Sequence, residues 1–572
     1  MADAPDQAST SKRVDGRLVP AVLVTWSAAL AGGFLGAAWS WTLAGVLAVL
    51  GVALTVLGRR RRPAGARART VPATLALACV LGASVAVHCA VTAGGREEGP
   101  LVEAVAGGDG VVIKVLVTGT PVAVLTPGRS SGTRWSVPAN LIELTSGGTV
   151  VRGNADLVVV GGEGWQGVLP GQSVRTTGTL KEVRQGQSQA ALLAASSPPV
   201  ITASDVDIRG SAASQRQSFV TAAKWLPPDA AGLLPGMVTG DTSALPESLD
   251  ADMKTTGMTH LTAVSGANCS LVLGAFILLA RCLKLPRPVA AAFAAAGLAA
   301  FVVLVGPDAS VLRAAVMGIV GLAALVGGLR GRSLTFLCLA SLLLLLVDPA
   351  MAANVGFLLS VLATLGIVLL ARRLTSWIPA IVPRWLAAGV AVPLSAQLVC
   401  GPVIVALQPQ FTPYALIANV VAGPLVAPVT ILGTIAVPLT TVLPWLAVVV
   451  IAIAGTCAGA VAGVARLLAH LPGAALPWAE GPVGIVSMAI CSMVTAWFVW
   501  AALHPAGVMN HVLSLHGAIV VLLERVAPPR HGRLEASKET SGRNHLWLLP
   551  KTPGPKVSRR TPSAGGMRHR PP

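Results

Sequence analysis

The feature that most limits what this chain can fold into is a succession of apolar runs, each about as long as the helix needed to cross a bilayer, roughly 20 residues. The first starts at Val19, and further runs recur until about residue 503. Charged residues make up only 12% of the 572, against about 25% in a soluble globular domain. The mean hydropathy is +0.72. The expected fold class is therefore a polytopic α-helical membrane protein. Candidate spans are 19–38, 40–58 and 71–93, then 258–280, 288–306, 312–329, 333–347, 353–371, 385–407, 414–435, 436–450, 451–469 and 482–503. The first run continues into the second with no cleavage signal evident, so it reads as a retained span.

The net charge of +18 suggests nucleic acid at first sight. Its distribution favours an orientation signal. Arg59, Arg60, Arg61, Arg62, Arg67 and Arg69 fill one gap between apolar runs, Arg281, Lys284 and Arg287 a second, Arg330 and Arg332 a third, and Arg372 and Arg373 a fourth. Short basic loops of this kind mark the cytoplasmic side. With 59–70 inside, the N-terminus is inside and the stretch 95–230 lies outside the cell. The expected localisation is a bacterial plasma membrane, crossed many times. The eight cysteines form no CxxC or metal-spaced set, so buried packing is their default role.

The outer stretch has the pattern of short strands. VVIKVLVTGTPVAVL, SVPANLIEL and ADLVVVGG are Val/Ile/Leu-rich runs broken by Gly, Pro and Asn, and VLPGQSVRTTGTLKEV leads from a Pro-Gly turn into alternation. About five short strands suit a small β-barrel of OB-like type. Its eleven basic and eleven acidic residues cancel, and its aromatics are few. A structural or docking role stands beside single-strand binding, which favours basic grooves with stacking rings. The organisation expected is 1–94 as a cytoplasmic N-terminus with three helices, 95–230 as the extracytoplasmic barrel domain, 231–505 as a second membrane domain, and 506–572 as a tail. That tail holds eleven basic against three acidic residues and is read as mostly disordered, apart from one amphipathic helix in VLSLHGAIVVLLERV.

Two stretches of the second membrane domain carry polar residues that a plain span does not need. Residues 232–274 hold Asp241, His260, Ser265 and Asn268. The second stretch contains Arg313 and Arg332, followed by Asp348 and the run 356–366. Ionisable groups at membrane depth are costly and usually line a water-filled cavity. Prolines at 402, 413, 424, 428 and 438 add broken helices, which are tolerated where protein or water covers the backbone. Each residue also has a plainer reading. His260 suits a core position bonded to a carbonyl, or a gate. Ser265 and Gly266 suit close helix packing, and no acid or lysine nearby completes a triad with Ser265. Asn268 can bond across helices. Gly240 and Asp241 can cap a re-entrant helix. Arg313 can snorkel, contact a phosphate, or pair with Asp241 or Asp348.

These residues resemble the ComEC competence family, whose members carry single-stranded DNA inward during natural transformation. The family's Gly-Asp appears as Gly240-Asp241. Its Gly-x-x-His-Leu-x-x-x-Ser-Gly run appears as Gly257 to Gly266, with His260 and Ser265 in place. Its loop Ser and Arg-Ala are Ser310 and Arg313-Ala314, and its Gly-Arg is Gly331-Arg332. Gly356-Phe357-Leu358-Leu359-Ser360 matches Gly-Phe-Gln-Leu-Ser, with Leu358 in place of Gln. Ala418-Asn419 and Pro424-Leu425 match a further run. The resemblance spans about 20–505. It implies a DNA-uptake channel with Asp241, His260, Ser265, Asn268, Arg313 and Asn419 as pathway candidates. Gly240, Gly257, Gly266, Arg332, Gly356, Phe357, Ser360 and Pro424 would be structural. Implied partners are single-stranded DNA, a competence DNA receptor, a cytoplasmic DNA-translocating ATPase and the lipid bilayer, with a homo-oligomer left open. No cofactor is implied.

Many members of that family add a metallo-β-lactamase-like domain that needs a His-x-His-x-Asp-His cluster. No two histidines here are separated by a single residue, so the chain is expected not to be an enzyme. The alternative is a small-solute transporter, or a membrane enzyme acting on lipid-linked substrates. Against it, no inverted repeat is evident and Asp241, Glu247, Asp250 and Asp252 form only a loose acidic cluster. The topology is directly testable. In a background without native cysteines, Ser130→Cys and Ser146→Cys should react with an impermeant thiol reagent in whole cells. Labelling only after lysis would overturn the orientation.

Overall fold

Helices begin and end where backbone chemistry allows. In the computed structural model the described residues are 15–60, 66–97, 100–108, 110–119, 121–124, 134–153, 155–168, 170–182, 189–204, 208–306, 309–326, 333–504, 514 and 516–519. The chain divides into the unit Met1–Pro505 and the unit Ala506–Pro572. Of the second, only Ser514 and residues 516–519 are described, as helix, so most of the expected tail lies outside the described residues. Arg330 and Arg332 lie outside them as well.

Three N-terminal helices, α1 (Val19–Phe34), α2 (Ala37–Arg60) and α3 (Ala66–Glu97), coincide with the first three apolar runs. They pack through small residues, as membrane helices do where no water drives association. A Cβ on Gly32 would meet Cys89 at 2.5 Å, and one on Gly82 would meet Val24 at 2.9 Å. The short α4 (Pro100–Gly107) precedes the β region.

That region contains β1 (Gly110–Val117), β2 (Val122–Val124), β3 (Arg134–Ser146), β4 (Thr149–Arg152), β5 (Asp156–Gly161), β6 (Gln172–Lys181), β7 (Ala191–Ala195) and β8 (Val200–Ser204). Strands pair in the order β1-β3-β5-β7-β6, and β1 pairs again with β6, closing a five-stranded barrel. Only β5 and β7 run parallel. Val111, Ile113, Val115 and Val117 alternate into the interior, with Leu157, Val159, Val174 and Leu193 from the other strands, and Trp165 is fully buried beside them. The expected small OB-like barrel is what forms. β7 was the hardest strand to read, because Ala-Leu-Leu-Ala-Ala favours helix. Pairing on both sides holds it extended.

The remaining helices are α5 (Ile208–Ala223), α6 (Pro228–Thr239), α7 (Glu247–Thr255), α8 (Gly266–Cys282), α9 (Arg287–Val305), α10 (Ala309–Val326), α11 (Ser333–Val347), α12 (Val355–Gly366), α13 (Arg372–Trp377), α14 (Arg384–Leu407), α15 (Ala415–Val442), α16 (Pro444–Ala469) and α17 (Gly481–Leu503). A wide turn at 367–371 joins α12 to α13. Among the described residues, nine helices are long and apolar enough to cross a membrane, and three shorter apolar helices accompany them. The expected spans 414–435, 436–450 and 451–469 are two helices rather than three. Pro424, Pro428 and Pro438 all lie inside α15, as membrane helices allow, and the break falls at Leu443. Leu443 precedes Pro444, and a residue before proline is pushed out of the helical region.

The largest apolar core joins α5, α6, α15 and α16 through Phe219, Leu233, Leu234, Met237, Val437 and Ile451. Nine of the twelve residues of α6 are buried, so this half-length helix sits inside the helical unit. Val238 of α6 fills the space where Gly433 of α15 has no side chain. Gly433→Val should therefore force α6 outward. The expected result is a destabilisation of about 1–3 kcal/mol for overpacking, read as a lower thermal midpoint in detergent and a reduced membrane level.

Candidate functional site

The segment from α6 to α8 is broken twice, and each break is set by a glycine. Gly240 ends α6 with φ +79°, and Gly257 ends the turn after α7 with φ +67°, both left-handed positions that L side chains rarely adopt. A Cβ on Gly257 would meet Ala415 of α15 at 2.9 Å. Gly236 likewise leaves room for the Thr262 carbonyl, which a Cβ there would meet at 2.7 Å. The two glycine-bounded turns thus fold back against α6 and α15.

Side chains satisfy the carbonyls that these breaks expose. Asn268, buried in the first turn of α8, donates from Nδ2 to the Met237 carbonyl of α6 at 3.0 Å. Ser265 donates from Oγ to Asn268 Oδ1 at 3.4 Å and immediately precedes α8 without capping it. Ser310 donates to the Val264 carbonyl at 3.2 Å, tying α10 to the same turn. Ser265 and Asn268 therefore join two helix ends rather than form a hydrolase centre. Asp241 accepts from the Ser243 backbone N–H at 2.9 Å, so it closes a local turn, and Gly240 caps the C-terminus of α6. His260 lies on the one-turn helix Thr259–Leu261 and is exposed, although protein atoms surround it closely. Such a side chain lines a depression. His260 is not the enclosed core residue that its plainer reading implied.

Arg313 is 5% exposed. Its Nη1 donates to Thr364 Oγ1 of α12 at 2.7 Å and approaches Met317 Sδ at 3.3 Å. Thr364 in turn donates to the Ser360 carbonyl at 2.9 Å. Among the described residues no carboxylate lies within ion-pair distance of Arg313, so pairing with Asp241 or Asp348 is excluded in this arrangement. Asp348 instead caps a one-turn helix by accepting from the Ala350 N–H. Gly356 follows Asn354, whose side chain caps α12 at Phe357 N–H. Phe357 is fully buried and stacks on Trp26 of α1 at 5.0 Å, so it anchors the N-terminal helices. Asn419 donates to the Ala415 carbonyl one turn earlier, beside Gly257, whereas Pro424 is exposed on α15 and away from these groups.

Two arginines matter that the sequence motifs did not single out. Arg216 of α5 donates from Nη1 to the carbonyls of Leu304 and Val305 at 3.1 and 3.0 Å, closing the C-terminal end of α9. Burial pushes its guanidinium pKa down, and the nearby Asp241 charge pushes it back up. Arg466 at the end of α16 forms a fork with Asp229 of α6, at 2.6 and 2.7 Å, and also reaches Asp252 of α7 at 3.1 Å. Only the spacing of acids and bases across 237 residues joins these partners, which no local pattern reveals. Among the described residues no three His, Cys, Asp or Glu side chains gather as a metal site.

Residues 237–503, which contain all of the motif residues above, match the Competence protein family. This chain carries the membrane domain of the ComEC competence family. Over 145 residues it is 34% identical to ComE operon protein 3 of Bacillus subtilis (strain 168). That match covers 25% of this chain and 19% of the relative, so the chain matches about a fifth of that protein's length. No solved structure matches. With its membrane helices and competence domain, the chain is a multi-pass cell-membrane protein.

The Arg466 fork holds the Asp229 carboxyl below the usual carboxylate range, mainly through the hydrogen bond, against an opposing desolvation and with further help from the charge. A depressed carboxylate stabilises the fold above its unfolded pKa of about 4 and loses that contribution as pH falls through its folded value. Asp229→Asn should therefore lower the thermal midpoint at neutral pH, by the equivalent of about 1–3 kcal/mol for a lost charged hydrogen-bond pair. The gap from wild type should close under acid conditions. An equal gap at both ends of the titration would show that the fork is not the cause.

Proposed function

We propose that this protein is an inward channel for single-stranded DNA in natural transformation. The observation that carries the reading is the broken segment from α6 to α8 inside the competence domain. α6 has 12 residues, about 18 Å of helix, so it is too short to span a bilayer, yet it lies buried in the helical unit. It is followed by two glycine turns and by His260, which lines a depression. Irregular backbone at membrane depth is tolerated where protein buries it or water lines it. Polar groups gathered there suit a hydrated path for a polyanion.

In this reading His260, Asp241, Ser265, Asn268, Arg313 and Asn419 border or shape the path. Asn268, Ser265 and Asp241 hold its walls through the bonds described above. Arg313 supplies positive charge, since DNA carries about one negative charge per nucleotide. The competence DNA receptor and a cytoplasmic DNA-translocating ATPase would act at the two ends. The barrel, with its balanced charge, suits docking better than strand binding.

Deletion of the gene is expected to leave labelled double-stranded DNA bound at the cell surface while none reaches the cytosol. Normal internalisation in the deletion strain would end the channel reading. Within that assay, Arg313→Lys should keep substantial uptake. Arg313→Gln should reduce it to about a tenth or less, the effect of one lost charged contact, with the protein still in the membrane. If both substitutions instead lower the protein level, Arg313 serves packing alone.

A further inference from the structure

We propose that Arg313 and the N-terminus of α8 together form a binding site for one phosphodiester group of single-stranded nucleic acid. The proposal rests on the channel reading above and adds a defined ligand chemistry to it. It starts from an imbalance around a buried cation. A guanidinium offers five N–H donors. Here Nη1 has both of the partners found among the described residues, Thr364 Oγ1 and Met317 Sδ. Nε is buried with no hydrogen-bond partner. Buried polar groups are nearly always paired, and a buried cation without a carboxylate is the costliest exception.

The second observation is where this guanidinium points. Its Nη2 lies 2.7 Å from the position that a Cβ on Gly266 would occupy. Gly266 is the first residue of α8, a helix of 17 residues whose N-terminus receives no side-chain cap. The first N–H groups of a helix lack intrahelical acceptors, and the helix dipole makes that end positive. In α8 the Asn268 and Cys269 N–H groups turn back to the Ser265 carbonyl, which leaves those of Gly266 and Ala267 for a ligand. Two positive ends therefore face each other across the smallest residue available. They repel unless an anion lies between them.

A phosphodiester fits this gap. One non-bridging oxygen accepts from Arg313 Nε and Nη2, and the other accepts from the Gly266 and Ala267 N–H groups. Helix N-termini bind phosphate in this manner, and the arginine fork matches its geometry. Ser265 and Gly266 are half-buried and Ala267 is exposed, so the first turn of α8 has an open side. A single phosphodiester rather than a phosphate monoester suits the site, because only one cationic side chain is present. Contact through an arginine and two amides, with no base readout, also lets any sequence pass.

The test is binding of a fluorescent single-stranded oligonucleotide to the purified full chain in nanodiscs of neutral lipid. Arg313→Gln should weaken binding about tenfold or more, and should flatten the slope of log K against log salt by about 0.7, the loss of one phosphate contact on a single strand. Gly266→Ala keeps every charge and suits a helix, yet its methyl group occupies the gap. It should weaken binding to a similar degree, whereas Arg313→Lys should recover much of it. Wild-type affinity in both Arg313→Gln and Gly266→Ala would overturn the site. The channel reading would then stand or fall separately, on DNA internalisation in the deletion strain. Loss of affinity for vesicles of anionic lipid, with oligonucleotide binding unchanged, would make the ligand a lipid headgroup and overturn the proposal. Failure of both variants to accumulate in the membrane would assign the guanidinium to packing and overturn it too.

Discussion

Inside a bilayer there is no water to take the hydrogen bonds that an interrupted helix releases, and each unmet group costs several kcal/mol. The competence domain contains many interruptions, and its architecture is organised around covering them. The Met237 carbonyl is taken by Asn268, the carbonyls at 304 and 305 by Arg216, that of Val264 by Ser310, and that of Ala352 by Trp26. In each case the donor comes from an element distant in sequence. The polar side chains that look out of place in an apolar sequence are thus largely the means by which broken helices remain at membrane depth.

Glycines complement those donors by allowing backbones to approach. Gly236, Gly257 and Gly433 admit neighbours where a methyl group would not fit. The short helix α6 is held in this way against α15, by Val238 over Gly433, and against α16 and α7 by the Arg466 fork. A segment so held is rigid near its packed end. The freedom left to it lies at its two left-handed glycines.

Much of this was legible in the sequence. Apolar run length and basic loops fix the membrane class, and β-type alternation broken by turns announces a small barrel. The ordered motifs mark the residues that the structure draws together between 236 and 268. What was not legible has physical causes. The end of α15 depends on which proline a membrane helix absorbs and which one it stops at, and composition alone does not decide between Pro438 and Pro444. β7 reads as helix until its neighbours on the barrel are known. Arg216, Arg466 and Thr364 belong to no motif and gain their roles only through tertiary proximity. Thr364 joins the Arg313 stretch to the Ser360 stretch, two motifs that the sequence leaves unconnected.

The stacking of Trp26 on Phe357 has a consequence for how the protein is made. Trp26 enters the membrane in the first helix, but its ring partner and its Ala352 carbonyl acceptor are about 326 residues further along the chain. At ribosomal speeds of about 5–20 residues per second, these partners emerge some 16–65 s later. Throughout that interval the first helix must persist in lipid with its indole N–H unmet by its final partner. The N-terminal helices are therefore inserted early and docked late. Closure of the molecule around the competence domain becomes a post-insertion event, timed by translation.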